Sequence, residues 1–113
     1  MPGLPFLRHA LRLSLVAIPL AVAAPLALAD SVDELRTLVD ANNAADAWAM
    51  AQRMEPDNAG DAEFDFWYGL AAKAAGHKQQ AVFAFERVVA QQPDNPRAKL
   101  ELARTLLATD PPA

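Results

Sequence analysis

The side chains best suited to catalysis are one histidine and two neighbouring carboxylates. His77 is the only histidine after residue 29, and it follows Gly76 in an expected turn. Glu63 and Asp65 flank an aromatic residue, and positions two apart on a helix point to different sides. They therefore do not form an acid-base pair, and we expect His77, Glu63 and Asp65 to be solvated.

The sequence also lacks the residues that other kinds of catalysis require. The chain contains no cysteine, which excludes disulfides, thiolate metal ligands and a cysteine nucleophile. A zinc site normally needs three or four ligands, and one histidine with scattered carboxylates shows no such spacing. There is no glycine-rich phosphate loop and no nucleophile elbow. The sequence predicts no enzyme, no metal site and no cofactor.

The first 29 residues have the features of a secretory signal. Arg8, His9 and Arg12 supply positive charge, and residues 13–28 are apolar apart from Ser14 and two prolines. A membrane-spanning helix needs about 20 apolar residues, and this run is shorter and interrupted. The pattern favours an export signal over a retained anchor, so contact with a membrane is expected only through an uncleaved signal.

The cleavage site is predicted between Ala29 and Asp30. Ala27 and Ala29 provide the small-x-small pattern that signal peptidase accepts. The mature chain would be residues 30–113, with 14 acidic and 8 basic side chains and a net charge of −6. That charge argues against nucleic acid, whose phosphates require a basic face. The sequence predicts a periplasmic protein.

The mature chain is predicted to be entirely helical. It is rich in alanine and leucine and has no long alternating run of β-branched residues. Ser31 and Glu34 have the spacing of a capping box, Asp61 and Asn95 are good N-caps, and Gly76 suits a helix end. With the breakers near residues 42–43, 56–60 and 93–96, the helices should span roughly 32–41, 44–54, 62–75, 78–91 and 97–108.

Apolar residues recur at helical spacing in the last three helices. The predicted core stripes are Phe64, Trp67, Tyr68, Ala71, Ala72 and Ala75, then Ala81, Val82, Phe85, Val88 and Val89, then Ala98, Leu102, Ala103 and Leu106. Trp48 is also expected in the core. Phe66 and Phe83 lie off these stripes, so each should either meet a neighbouring helix pair or form an exposed patch.

An internal repeat identifies a resemblance. Pro-Asp-Asn occurs at residues 56–58 and again 37 residues later. Residues 62–95 resemble a complete tetratricopeptide repeat, with Gly69 in the glycine position, Ala81 and Phe85 in the Ala-x3-Phe spacing, and Pro93 closing the unit. Asp65 and Ala72 depart from the pattern, which normally has large aromatic residues there.

The resemblance implies an all-α fold, in which antiparallel helix pairs stack as a short solenoid of about five helices. Residues 44–56 match the second half of a preceding repeat, and residues 97–108 match the first helix of a following one. The mature part would then be a single domain of one complete repeat with partial repeats on both sides.

A tetratricopeptide resemblance also implies an inner groove lined by the first helix of each repeat. Such a groove could hold an extended protein segment or a terminal carboxylate. The alternative is that Arg97 and Arg104 simply pair with Glu101 on their own helix. The candidate partner-binding residues are Phe66, Trp67, Leu70, Lys73, Arg97, Leu100, Glu101 and Arg104.

A narrower resemblance concerns residues 60–88. These residues are similar to the periplasmic repeat domain of surface lipoprotein assembly modifiers, which implies a partner or cargo protein in envelope assembly or secretion. The alternative is a truncated or N-terminal structural piece of a longer export protein without independent activity. In either case we expect Leu100 and Leu107 to form an exposed strip on the last helix, used for self-association or for a partner.

Overall fold

The computed structural model describes residues 30–108, and this part of the chain consists of five α-helices without a strand. The helices are α1 (Val32–Asp40), α2 (Ala44–Asn58), α3 (Ala62–Ala74), α4 (Lys78–Gln91) and α5 (Pro96–Leu107). The expected all-α fold is confirmed. The signal segment, including Ala29 of the expected cleavage site, lies outside the described residues.

The helices begin at the capping residues expected from the sequence. Ser31 accepts a hydrogen bond from the Glu34 amide at 3.1 Å, and Asp61 accepts one from the Phe64 amide at 2.9 Å. Asn95 caps α5 in the same way at 3.0 Å. Each of these side chains satisfies an amide that has no partner within its helix.

The end of α2 differs from the expectation that Pro56 stops the helix. The helix runs through Pro56 to Asn58. Proline at this position removes one backbone hydrogen bond, to the carbonyl of Gln52, and Gln52 is exposed to water. Pro56 lies in the last turn, where the side chain of Asn58 donates to the Met54 carbonyl at 2.8 Å and helps to close the helix.

Consecutive helices pack side by side along the chain, and α1 also contacts α3. The turn from α3 to α4 is tight because Gly76 has a φ of +88°, a left-handed conformation that glycine adopts at little cost. The amides of Gly76 and His77 donate to the carbonyls of Lys73 and Ala72 at 3.1 and 2.7 Å. α1 and α3, which the resemblance makes the first helices of successive repeats, lie next to each other.

The centre of the fold is the crossing of α3 and α4. Gly69 and Ala81 are buried, and the Phe85 ring fills the space beside them. A Cβ at position 69 would lie 2.5 Å from Phe85 Cε1, so the glycine is required by close approach. Phe64 and Val88 complete this core, as the stripes predicted.

The terminal helix α5 is less covered than its apolar stripe suggested. Ala98 is buried and Leu102 packs against the core, but Ala103 and Leu106 are exposed. The apolar stripe on α5 is wider around the helix than the surface that α4 covers. The expected exposure of Leu100 and Leu107 is confirmed, at 47% and 82%. Within residues 30–108, no helix is long and apolar enough to cross a membrane.

Candidate partner-binding groove

The strongest candidate site is formed by Trp67 and the cations on either side of it. The guanidinium carbon of Arg97, on α5, lies 5.3 Å from the Trp67 ring centroid, and that of Arg36, on α1, lies 5.9 Å away. Both distances are within the range of cation–π attraction. Residues from α1, α3 and α5 therefore meet at one indole ring.

Phe66 extends this aromatic surface and also ties it to the core. Its ring stands edge-on to Trp67 at 5.4 Å, and Arg97 lies 4.7 Å above it. On its other side Phe66 contacts Phe85 at 5.9 Å. Phe66 was expected either to meet a neighbouring helix pair or to form an exposed patch. It is buried against neighbouring helices, so the first alternative is correct.

A shallow cavity of about 260 Å³ opens beside these rings. Its lining residues are Ala62, Glu63, Phe66, Trp67, Gln92, Asn95 and Arg97. The wall is thus aromatic, with one guanidinium, one carboxylate and two side-chain amides able to donate or accept hydrogen bonds. A site of this kind binds the side chain or backbone of a protein segment more readily than a purely apolar ligand.

A second cluster of predicted residues lies further along α3 and α5. The Lys73 ammonium contacts Glu101 Oε1 at 2.9 Å, and Arg104 approaches Glu101 Oε2 at 3.8 Å. The local pairing considered for α5 is therefore present for Arg104. Arg97 instead lies over the aromatic rings.

The remaining predicted residues are placed differently. Leu70 is half-buried and packs against the core. Leu100 is exposed on α5 and does not line the cavity beside Trp67. The structure thus brings Phe66, Trp67 and Arg97 together. It also places Lys73 and Arg104 on either side of Glu101, and it leaves Leu100 away from both groups.

Arg36 is the groove residue that sequence reasoning missed. It lies on α1 and also pairs with Asp33 at 2.7 Å. The signal for it was the resemblance, by which α1 is the first helix of the opening repeat, so that its groove face is expected to align with those of α3 and α5.

The expectation that Asp65 is solvated was wrong. Its side chain has no exposed surface and forms a two-point ion pair with Arg87, with nitrogen–oxygen distances of 3.0 and 3.2 Å. It also accepts the Gly60 amide at 3.1 Å. This ion pair connects α3 to α4 and fixes the loop before α3, which gives the departure from the family pattern at Asp65 a structural role.

The hydrogen bond from Arg87 to Asp65 raises the pKa of the Arg87 guanidinium above its usual value. All buried side-chain polar atoms in the described part of the chain have hydrogen-bond partners. No group of three or more potential metal ligands occurs within residues 30–108. The buried carboxylate is therefore satisfied by Arg87 and the backbone, and Glu63 is exposed as expected.

His77 is not simply solvated either. Its ring stacks on Trp48, with centroids 4.7 Å apart and planes inclined by 25°, and both residues are half-buried. Trp48 also meets Tyr68 edge-on at 5.2 Å. His77 thus covers an aromatic side chain that was expected to lie within the core.

Comparison with known families supports the resemblance stated above. Residues 72–110 match the tetratricopeptide repeat model, a segment that includes α4 and α5. Comparisons with curated proteins and with solved structures found no match. The match supports a tetratricopeptide repeat protein, and repeats of this kind are typically non-catalytic modules that bind protein partners.

Proposed function

We propose that this protein binds a segment of a partner protein in the groove formed by α1, α3 and α5. The observation that carries the proposal is the position of Trp67 between Arg36 and Arg97. The rings of Trp67 and Phe66 are only 6% and 7% exposed, so a partner carboxylate can reach the two guanidinium groups while an apolar side chain meets the remaining ring edges. Aromatic residues and arginine are also the side chains that most often dominate binding energy at interfaces.

The charge distribution favours an acidic partner segment. The chain from residue 30 has a net charge of −6, yet four of its eight cationic residues lie on the groove helices α1, α3 and α5 near the contacts described above: Arg36, Lys73, Arg97 and Arg104. Arg36 pairs with Asp33, and Lys73 and Arg104 share Glu101, so the attraction for a partner carboxylate comes mainly from Arg97, above the aromatic rings.

We further propose that this binding takes place in the periplasm and serves envelope assembly or secretion. Support comes from the signal-like features of residues 1–29 and from the similarity of residues 60–88 to the repeat domain of surface lipoprotein assembly modifiers. Sequencing the N-terminus of the purified native protein tests the location. A mature chain that starts at Asp30 is expected, and an intact Met1 in the membrane fraction would contradict export.

Site-specific photo-cross-linking in cells tests the groove. A photoreactive residue at Glu63, which lines the cavity, should capture a partner protein, whereas the same residue at Glu86, an exposed position of α4 outside the cavity, should not capture that partner. Arg97→Ala and Arg36→Ala should each reduce capture at Glu63. Lys99→Ala is the matched control, because Lys99 is an exposed cation of α5 that does not line the cavity. Equal capture by the Arg97 and Lys99 variants would reject the groove.

A further inference from the structure

A second apolar surface lies away from the groove, between α4 and α5. Phe83 and Leu106 are 58% and 48% exposed, and they line a cavity of about 640 Å³. The other lining residues are Gly76, His77, Lys78, Gln79, Gln80 and Val82. Large apolar side chains that meet in an open cleft usually mark an interaction surface. We refer to this cavity as the α4–α5 cleft.

The position of the cleft follows from the way the helices stack. α3 is covered by α1, α2 and α4, and α4 lies between α3 and α5. In stacked helical repeats each unit buries its apolar face against the next. A further helix antiparallel to α5 would lie along α4 and α5 together, over Phe83 and Leu106. Phe83 and Leu106 are therefore the side chains that such a helix would cover.

The charges at the cleft indicate what kind of helix fits. Its lining contains His77 and Lys78 but no carboxylate. Glu86, the only carboxylate of α4, lies outside the lining. Glu101, the only carboxylate of α5, also lies outside the lining and is engaged by Lys73 at 2.9 Å. The complementary surface is a leucine-type stripe with acidic flanks.

We propose that the α4–α5 cleft binds an amphipathic helix of a partner protein, with carboxylates beside its apolar stripe. A second copy of this chain fits less well. Its own helix with exposed leucines is α5, which carries three basic residues and one acidic residue and so would bring net positive charge toward Lys78. Like charges in contact are destabilising. The cleft and the groove are separate surfaces, and each can be tested without the other.

A synthetic helix provides the probe. It has ~14 residues, near the shortest length at which an isolated helix holds in water, with leucines at i, i+3 and i+7 and glutamates on the flanking positions. A second peptide carries lysine in place of each glutamate. Fluorescence anisotropy with the purified protein, its N-terminus determined, should give at least about tenfold tighter binding for the glutamate peptide.

Two leucine variants then locate the binding surface. Leu106 and Leu100 are on the same helix and almost equally exposed, at 48% and 47%, but only Leu106 lines the cleft. Leu106→Ser should weaken binding of the glutamate peptide by about tenfold or more, and Leu100→Ser should leave it unchanged within about twofold. Thermal melts followed by circular dichroism should match the parent protein for both variants, because both side chains are exposed.

Several results would overturn the proposal. Equal binding of the two peptides would remove the acidic preference, and equal losses in the two leucine variants would indicate non-specific apolar contact. Undetectable binding of the glutamate peptide at about 1 mM would reject the cleft as a helix site. If sedimentation shows a dimer of the parent protein that Leu106→Ser dissociates, the occupant is a second copy and the partner helix is rejected.

Discussion

The helix pair α3–α4 and the terminal helix α5 have similar apolar patterns but very different surroundings. In the pair, Phe85 packs against Gly69 with no exposed surface, and the ion pair between the buried Asp65 and Arg87 joins the two helices. On α5, Leu100 and Leu106 remain about half-exposed. The difference arises because α3 and α4 have neighbours on two sides, whereas α5 packs mainly on α4.

Because of this contrast, we expect α3–α4 to determine mainly the stability of the protein and the outer surface of α5 to determine mainly its binding. Substitutions within α3–α4 should mainly change the free energy of unfolding, because their side chains are enclosed. Substitutions on the outer surface of α5 should mainly change binding, because water already reaches their side chains. Arg97 is intermediate, since it is exposed but lies over two buried rings.

The largest expected effect is that of Phe85→Ala. Truncation of this fully buried ring should lower the free energy of unfolding by about 3–5 kcal/mol, through lost burial and a residual cavity. Phe83→Ala is the matched control on the same helix, because Phe83 is 58% exposed and should change stability by less than about 1 kcal/mol. Melts followed by circular dichroism measure both. Equal melting temperatures for the two variants would show that the repeat register is wrong.

The next largest effect should come from Asp65→Ala. Removing the carboxylate leaves Arg87 and the Gly60 amide without their partner, which should cost about 2 kcal/mol, because water can reach the 38% exposed Arg87 side chain. Glu63→Ala, an exposed carboxylate on the same turn, should stay within about 0.5 kcal/mol of the parent. Chemical denaturation gives both values. Similar values for the two variants would mean that the ion pair contributes nothing to the α3–α4 crossing.

A smaller loss is expected for Gly69→Ala. Helix propensity favours alanine by about 1 kcal/mol, but the new methyl group would lie 2.5 Å from Phe85 Cε1. The expected net result is a destabilisation of about 1–2 kcal/mol. Repeating the substitution in a Phe85→Leu background should reduce the loss, since the ring that blocks the methyl is absent. A stabilised Gly69→Ala protein would contradict the close approach.

The smallest effect concerns alkaline pH. Burial, followed by the nearby charge of Glu55 and a hydrogen bond to it at 3.4 Å, raises the pKa of Tyr68 above its ordinary value. The folded protein thus favours the neutral phenol. The stabilisation that comes from the neutral Tyr68 phenol is complete below the pKa of tyrosine in the unfolded chain, about 10. It is lost as the pH rises through the pKa of Tyr68 in the folded protein. Stability should fall less steeply above that pH in Tyr68→Phe, as measured by denaturation at several pH values. Parallel pH profiles would show that Tyr68 does not contribute.

The amino-acid sequence by itself determined the local features of this protein. Ser31, Asp61 and Asn95 cap their helices because their side chains reach amides three residues away. The spacing of Gly69, Ala81 and Phe85 also identified the helix crossing, since the repeat requires small residues where two helices approach. These interactions depend on short separations or on a repeating pattern, and both can be read from a single chain.

Only the tertiary structure decided which polar side chains are buried and which apolar side chains are exposed. Asp65 pairs with Arg87, 22 residues away, and helical periodicity specifies the face of a side chain but not what covers it. The same reason explains the exposure of Leu106, the contact of His77 with Trp48 and the position of Arg36 beside Trp67. Each of these depends on where a neighbouring helix begins, ends or is missing among the described residues.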